Sequence, residues 1–381
     1  MEHPDIRIEP VRGRALTREF LDLPDRLYAG DAGWITPMRA LVARRLDRKR
    51  HPFYDHGEAE FWIARRAGRT VGRISGQINR LHLATHDDCC GHFGHLDAEE
   101  DPATVAALLA TVEAWARERG MRQVAGPFHL SINEELGLPV AGFDLPDCLL
   151  MPHGRPGMAG LVEECGYRVI HSLVSCRFDM AGPLPERILS LVRQTASQPE
   201  IVVKRISALS ILANGERLRR LFNDAWSGNW GFVPVTAREQ QGMLLDTILF
   251  WDRMRVLVAS VAGEEVGFLI GLPDLNEAME GLRGRLWPWG WLPFLWRARM
   301  KGLTRARLLL CGIVRKHHGT PLAPAALLRM LQTLHAIGLP GCHTIELGWI
   351  LASNRPFMTL LRQSGMQPVR RFHIYGKSLV T

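Results

Sequence analysis

An apolar strand, Leu308–Val314, runs straight into Arg315-Lys316-His317-His318-Gly319-Thr320-Pro321, and an apolar helix follows. This junction suits a phosphate. Gly319 lets the backbone come close to an anion. The helix start offers unpaired N–H groups and a positive dipole end. Pro321 fits a first helical turn, where its missing N–H is not needed. Arg315 and Lys316 add charge, and Thr320 completes the turn. Glu346 stands within the otherwise apolar strand Thr344–Trp349. A lone carboxylate there would point into the cleft of a sheet and could take a proton as a general base; a buried Glu paired with an Arg is the other reading. His373 and Tyr375 lie two apart on one face of the last strand, and His373 is the alternative base. In the first half, Asn133, Glu134, Glu135 and His153 gather in loop-like sequence around Pro139, Pro146 and Pro152. Polar groups on such loops often face a pocket, so Asn133, Glu134 and His153 are assigned to substrate binding. No Cys/His constellation with metal-ligand spacing and no Ser-His-Asp order stands out, so no metal is expected. Seven scattered cysteines fit free thiols in a reduced, cytoplasmic protein.

The elements that must position these residues come in two copies. Ala67-Gly-Arg-Thr-Val-Gly-Arg-Ile-Ser-Gly76 matches Ala262-Gly-Glu-Glu-Val-Gly-Phe-Leu-Ile-Gly271, 195 residues on. Leu161–Tyr167 parallels Leu360–Met366, 199 residues on, each as a helix end closed by glycine. Two matches at nearly one offset argue for a duplicated unit. Each half reads as a mixed central sheet flanked by helices, an α/β (α+β) architecture. The expected division is a first lobe at 1–180, a junction at 181–200 holding Pro183, Pro185 and Pro199, and a second lobe at 201–381.

The order of elements, together with the loop after Val314, is similar to the GNAT fold of N-acyltransferases. In that family a strand leads into Arg/Gln-x-x-Gly-x-Gly/Ala and then a helix; here Lys316, Gly319 and Pro321 hold the three positions. A further stretch resembles the family's fifth strand, an Asn opening a helix, a helix-ending Gly and a final strand bearing Tyr. It is Thr344–Met358 with Asn354, then Gly365, then Arg371–Lys377. The resemblance implies an acyl-CoA donor bound by the second lobe at Ile313, Val314, Arg315, Lys316, Gly319, Thr320 and Asn354. It also implies a thioester carbonyl polarised by backbone N–H groups around Ile313–Arg315, and Tyr375 as proton donor to the leaving thiolate. The matching place in the first lobe reads His95-Leu-Asp-Ala-Glu-Glu-Asp-Pro102. Its carboxylates would cap a helix but repel a pyrophosphate, so the first lobe is expected to have lost donor binding and to shape the acceptor pocket. Three further segments, Asn223–Pro234, Pro273–Ala278 and Gly126–Glu134, resemble large bacterial GNAT-like proteins that include the bacterial ceramide synthases, which N-acylate a sphingoid base from fatty acyl-CoA. Trp226 and Trp230, in the first of these segments, are assigned to substrate binding on that resemblance.

The net charge of +8 is local in origin. Gly281–Thr320 holds nine Lys or Arg and no Asp or Glu. Within the stretch 281–305, Trp287, Trp289, Trp291 and Trp296 alternate with Pro and Gly beside Arg297 and Arg299. Indole rings and cations together suit an anionic lipid interface, and a lid or a dimer contact is the alternative. Nucleic acid is not expected, because the basic residues alternate with bulky aliphatics. The expectation is a cytoplasmic enzyme peripheral on the inner membrane, using long-chain acyl-CoA or an acyl carrier protein and a lipid amine. It has no membrane-spanning helix, and the acidic N-terminus lacks the apolar run of a secretory leader. Competing readings are an acetyltransferase acting on a soluble amine or protein, a Fem-type aminoacyltransferase and a non-catalytic lipid-binding protein.

Overall fold

The computed structural model describes residues 6–195, 200–247 and 250–380. Thirteen strands are formed among them: β1 Arg7–Pro10, β2 Gly57–Arg66, β3 Arg69–Asn79, β4 Cys90–Ala98, β5 Gln123–Gly126, β6 Leu138–Ala141, β7 Arg168–Asp179, β8 Ile201–Ile206, β9 Arg255–Val261, β10 Glu264–Pro273, β11 Arg305–Ile313, β12 Thr344–Leu351 and β13 Pro368–Ser378. The chain forms two compact units. The first holds residues 1–173, 279–294 and 370–381; the second holds 174–278 and 295–369.

In the first unit the strand order is β1-β2-β3-β4-β5-β13, followed by the first half of β7, with β6 on β13. In the second unit the last half of β7 is followed by β12-β11-β10-β9-β8. The expected linear boundary therefore needs correction at both ends. The final strand β13 belongs to the first unit, where Tyr375 pairs with Gly126 and Lys377 with Val124. The segment 279–294 belongs there too, tied down by the Arg39 N–H to Gly284 carbonyl bond of 2.9 Å. Strand partners are chosen by tertiary register, and a sequence read along the chain does not contain that choice. The expected junction, 181–200, holds the helix Glu186–Gln194 among its described residues.

The repeated motif has the same physical cause in both units. Ala67 and Gly68 both take positive φ (48° and 77°), as do Ala262 and Gly263 (50° and 83°), which is the turn a tight hairpin needs. The later glycines let a helix close on the sheet. A Cβ on Gly72 would lie 2.7 Å from Leu108, and one on Gly76 would lie 3.1 Å from Trp115, both on the helix Pro102–Glu118. In the second unit a Cβ on Gly267 would meet Ile313 at 2.6 Å and Met330 at 3.4 Å, the latter on the helix Leu322–Ile337. The first core gathers Ile74, Phe93, Leu108, Leu109 and Tyr375; the second gathers Leu257, Leu269, Leu308, Ala326, Met330 and Leu347. Each fully buried leucine in these rows contributes about 2–3 kcal/mol of apolar burial.

Among the described residues, no helix is long and apolar enough to cross a membrane.

Candidate functional site

The second unit carries an opening in its sheet. β11 and β12 are parallel neighbours from Arg305↔Thr344 to Leu308↔Leu347. Both strands continue beyond that ladder, β11 to Ile313 and β12 to Leu351, while the other edge of β11 stays paired with β10 as far as Ile313↔Gly267. Past Leu308 the two strands separate, and an extended arm of a substrate could enter between them. The opening leads to the basic turn. Arg315–His317 form one short helical turn, and Arg315, Lys316 and His318 are exposed. Gly319 takes φ +75°, and a Cβ there would meet nothing, so the glycine supplies conformation rather than space. The helix Leu322–Ile337 starts behind Pro321 with no side-chain cap, leaving the charge of its first turn unmatched by any carboxylate cap. The nearest anion to Lys316 is Glu264, with which it forms an exposed ion pair.

Two of the backbone donors assigned to the thioester carbonyl are engaged elsewhere. The Val314 N–H donates to the Val266 carbonyl at 2.9 Å, and the Arg315 N–H donates to the Asp224 carboxylate at 3.0 Å. By contrast, the Trp226 Nε1–H and the ring nitrogen His317 Nε2 are buried with no hydrogen-bond partner among the described residues. Trp226 stacks on Phe222 with ring centres 5.5 Å apart, and a Cβ on Gly312 of β11 would lie 3.0 Å from its Nε1. Gly312 thus admits the indole to the separated stretch of β11. Trp230 is half-buried. Asn354 is the N-cap of the helix Arg355–Gln363, its side chain accepting the Phe357 N–H at 3.2 Å.

Glu346 lies on β12, one residue before the last paired position, and is 4% exposed. Its carboxylate accepts the Ser175 hydroxyl at 2.6 Å and the Arg177 guanidinium at 3.2 Å, both from β7. The Cys176 thiol beside it is pushed up to about 11 by burial and by the Glu346 charge, and burial pushes Cys311 up to about 12. Both thiols stay protonated near neutral pH and are poor nucleophiles.

Tyr375 and His373 belong to the first unit, so the structure places them in a different unit from Glu346. The Tyr375 hydroxyl donates to Glu163 Oε1 at 3.0 Å, and burial raises its pKa. The side chain is fully buried in the first core. His373, with its ring centre 6.0 Å from that of Tyr375, has a buried Nδ1 without a partner among the described residues; burial and Arg371 lower its pKa, which favours the neutral imidazole.

The first unit repeats the layout with its anion site closed. β4 and β5 are parallel from Cys90↔Gln123 to His92↔Ala125, and β4 runs on to Ala98. The helix that follows is capped by Asp101, which accepts the Thr104 N–H at 2.7 Å and pairs with Arg66. Glu99 pairs with Arg69 at 2.6 Å. The charges of the two units are reversed at matching places: Arg69 faces Glu99 in the first, and Glu264 faces Lys316 in the second. His153 is clamped between Asp147 (2.8 Å) and Asp31 (3.3 Å), with Arg155 holding Asp31 at 2.8 Å. It borders a shallow surface depression, with room for little more than a water molecule, lined by Pro139, Phe143, Asp147, Pro152, Arg370 and Phe372. Glu134 is bound by Arg45 at 2.6 Å and lies 3.4 Å from His51. Asn133 is half-buried beside Ser131, whose hydroxyl accepts its N–H at 3.3 Å.

Two histidines that the sequence did not single out complete this region. His95 and His129 stack with ring centres 4.2 Å apart. His95 Nδ1 lies 2.9 Å from the Ser75 hydroxyl, its Nε2 is buried without a partner among the described residues, and burial lowers its pKa. His129 faces Glu135 at 3.2 Å, and Glu135 is bound to Arg45 at 2.8 Å. The available signal was the alternation on β3, where Arg73, Ser75, Gln77 and Asn79 recur every second residue and are all buried.

No protein-family profile matches the chain. Among curated proteins it is 34% identical over 377 residues to the bacterial ceramide synthase of Caulobacter vibrioides, covering 98% of each chain. It is 33% identical over 367 residues to protein YghO of Escherichia coli, covering 95% of this chain and 93% of that one. Among solved structures, a tandem GNAT protein from the clavulanic acid biosynthesis pathway superposes with a TM-score of 0.57 at 14% identity, covering 99% of both chains. A GCN5-related N-acetyltransferase from Sphaerobacter thermophilus gives 0.53 at 14% identity, covering 99% of this chain and 96% of that one. The fold and these neighbours define the class: proteins built from two GNAT lobes. Within that class, the chain belongs to the bacterial ceramide synthase family.

Proposed function

We propose that the protein transfers a long-chain acyl group from acyl-CoA to the amine of a lipid of the sphingoid-base type, such as sphinganine or 3-oxosphinganine. The observation that carries this reading is the separation of β11 from β12 in the second unit, leading to an uncapped basic helix start. Pyrophosphate would sit at Arg315, Lys316, Gly319 and Thr320, with the pantetheine arm between the strands. The ammonium of the acceptor must first lose a proton, since only the free amine attacks. We assign that proton to Glu346. The amine then adds to the thioester carbonyl, the C–S bond breaks, the nitrogen releases its surplus proton to solvent, and the thiolate of CoA leaves and takes up a proton from solvent. Because Val314 and Arg315 have their N–H groups engaged, we assign polarisation of the carbonyl to the unpartnered indole N–H of Trp226. Burial disfavours the thiolates of Cys176 and Cys311, and we assign a direct transfer from acyl-CoA to the amine.

The lipid side of the proposal rests on the segment after Met279. Trp287, Trp289, Trp291 and Trp296 are 83%, 72%, 41% and 57% exposed. Exposed indoles in such density need a partner, and an anionic membrane surface supplies one. Arg297 donates to the Ala278 carbonyl at 3.3 Å and Arg299 pairs with Asp252 at 2.7 Å, so within the second unit both help to anchor the segment.

The test is thiol release with the purified protein, long-chain acyl-CoA and sphinganine in mixed micelles, against acetyl-CoA with a polar amine. Turnover with the long-chain pair, and a raised KM for acyl-CoA in Lys316→Ala and Arg315→Ala, is the expected result. Turnover only with acetyl-CoA overturns the lipid assignment, and turnover only with an acyl carrier protein thioester replaces the donor.

A further inference from the structure

We infer that the first unit holds a zinc-class cation at His82, Cys90 and His92. Their ligand atoms lie within 4.8 Å of one another, and all three side chains are buried. They come from two elements. His82 lies on the short helix Arg80–His86, whose N-cap Asn79 accepts the Leu81 and His82 N–H groups. Cys90 and His92 are the first and third residues of β4 and so share a face.

The chemistry fits a borderline cation. Two imidazoles and a thiolate are nitrogen and sulfur ligands of the kind zinc takes, at about 2.0–2.1 Å for nitrogen and 2.3 Å for sulfur. Tetrahedral edges at those bond lengths are about 3.3–3.8 Å. Atoms within 4.8 Å of one another therefore need to close by at most about 1.5 Å. On binding, each histidine gives a nitrogen lone pair, the Cys90 thiol releases its proton to solvent, and water takes the fourth position. The support around the ligands is also present. Asp88 Oδ2 lies 3.1 Å from His82 Nε2, and Asp88 Oδ1 accepts the Cys90 N–H at 3.0 Å. A carboxylate behind a metal-bound histidine orients the ring. The His92 ring rests edge-on to His82 at 4.6 Å and to Phe128 at 4.7 Å, which limits where it can turn.

The position gives the cation a role. His92↔Ala125 is the last paired position before β4 leaves β5. A cation there would pin the helix Arg80–His86 to β4 at the base of that separation, strengthening the first unit without touching the donor site in the second. This site is independent of the assignment of the reaction.

The experiment measures zinc by elemental analysis in the full-length protein after gel filtration, beside Cys90→Ser and His82→Ala. About one zinc per chain in the parent protein and a loss of at least tenfold in both variants is expected. Replacement by Co²⁺ should give a thiolate-to-cobalt charge-transfer band and the strong visible bands of tetrahedral cobalt. The charge-transfer band should be missing from Cys90→Ser. The cobalt readout uses the parent protein, so it decides the matter even if a variant fails to fold. Chelation should lower the parent's Tm and leave that of Cys90→Ser unchanged. Substoichiometric zinc with no cobalt spectrum in the folded parent, or zinc retained undiminished in both variants, overturns the site.

Discussion

Replacing Glu346 by Gln separates chemistry from bracing. Gln keeps the shape of the side chain and an oxygen for the Ser175 hydroxyl, which now lies 2.6 Å from Oε1. It removes the charge that Arg177 meets at 3.2 Å, and it cannot take a proton. Hydrogen bonds to a charged group are worth about 1.5–3 kcal/mol. Arg177 is 30% exposed, so water recovers part of that loss. The net structural cost is then about 1–2 kcal/mol, and at about 2–4 °C per kcal/mol for a unit of this size the Tm should fall by about 2–8 °C. The chemical cost is larger, because loss of a general base lowers kcat by about 10²–10⁴-fold. The assay is thiol release with long-chain acyl-CoA and sphinganine, run well below the Tm of the variant, with KM for acyl-CoA expected to stay unchanged. Ser175→Ala is the companion: it should lower Tm by a similar amount and kcat only a few-fold. A Glu346→Gln enzyme that loses stability but keeps kcat within about threefold of the parent, against the loss expected for a base, would refute the assignment and leave the carboxylate as a brace.

Asp101→Ala removes a cap and the partner of Arg66, and should destabilise the first unit by about 0.5–2 kcal/mol by calorimetry; a change in KM for acyl-CoA would contradict the closed character of that helix start. For His153, burial lowers the pKa, but Asp147 and Asp31 outweigh it and the net shift is upward. A proton held more tightly in the folded state adds stability in full below about pH 6.5, and that contribution fades as pH rises through the folded pKa. The Tm difference between parent and His153→Gln should therefore shrink as pH rises from about 6.5 through the raised folded pKa; a constant difference would sink the charged clamp. Trp287→Ser combined with Trp289→Ser should abolish co-sedimentation with anionic vesicles while Tm stays put, since both rings are mostly exposed; undiminished vesicle binding removes the membrane role of this segment.

Some of this was legible before any coordinates. The duplicated hairpin, the basic loop after β11, the acidic cap of the first unit and the Asn354 cap are local features, written in residues a few positions apart. Hairpin turns, caps and glycine-dependent close packing are set by steric and hydrogen-bonding rules that act over such distances. The tertiary structure alone decided the rest. The family resemblance makes Tyr375 the proton donor at the second lobe's donor site, yet β13 pairs with β5 and its hydroxyl donates to Glu163 in the first unit. The stacking of His95 on His129 and the gathering of His82 with Cys90 and His92 depend on β4 bringing separate elements together. Whether Glu346 is free or braced was likewise settled by β7, whose residues 174–179 lie in the second unit and present Ser175 and Arg177 to it. Sequence periodicity fixes which face of a strand a side chain occupies; the neighbour it meets there is chosen by register and strand order, which are properties of the whole fold.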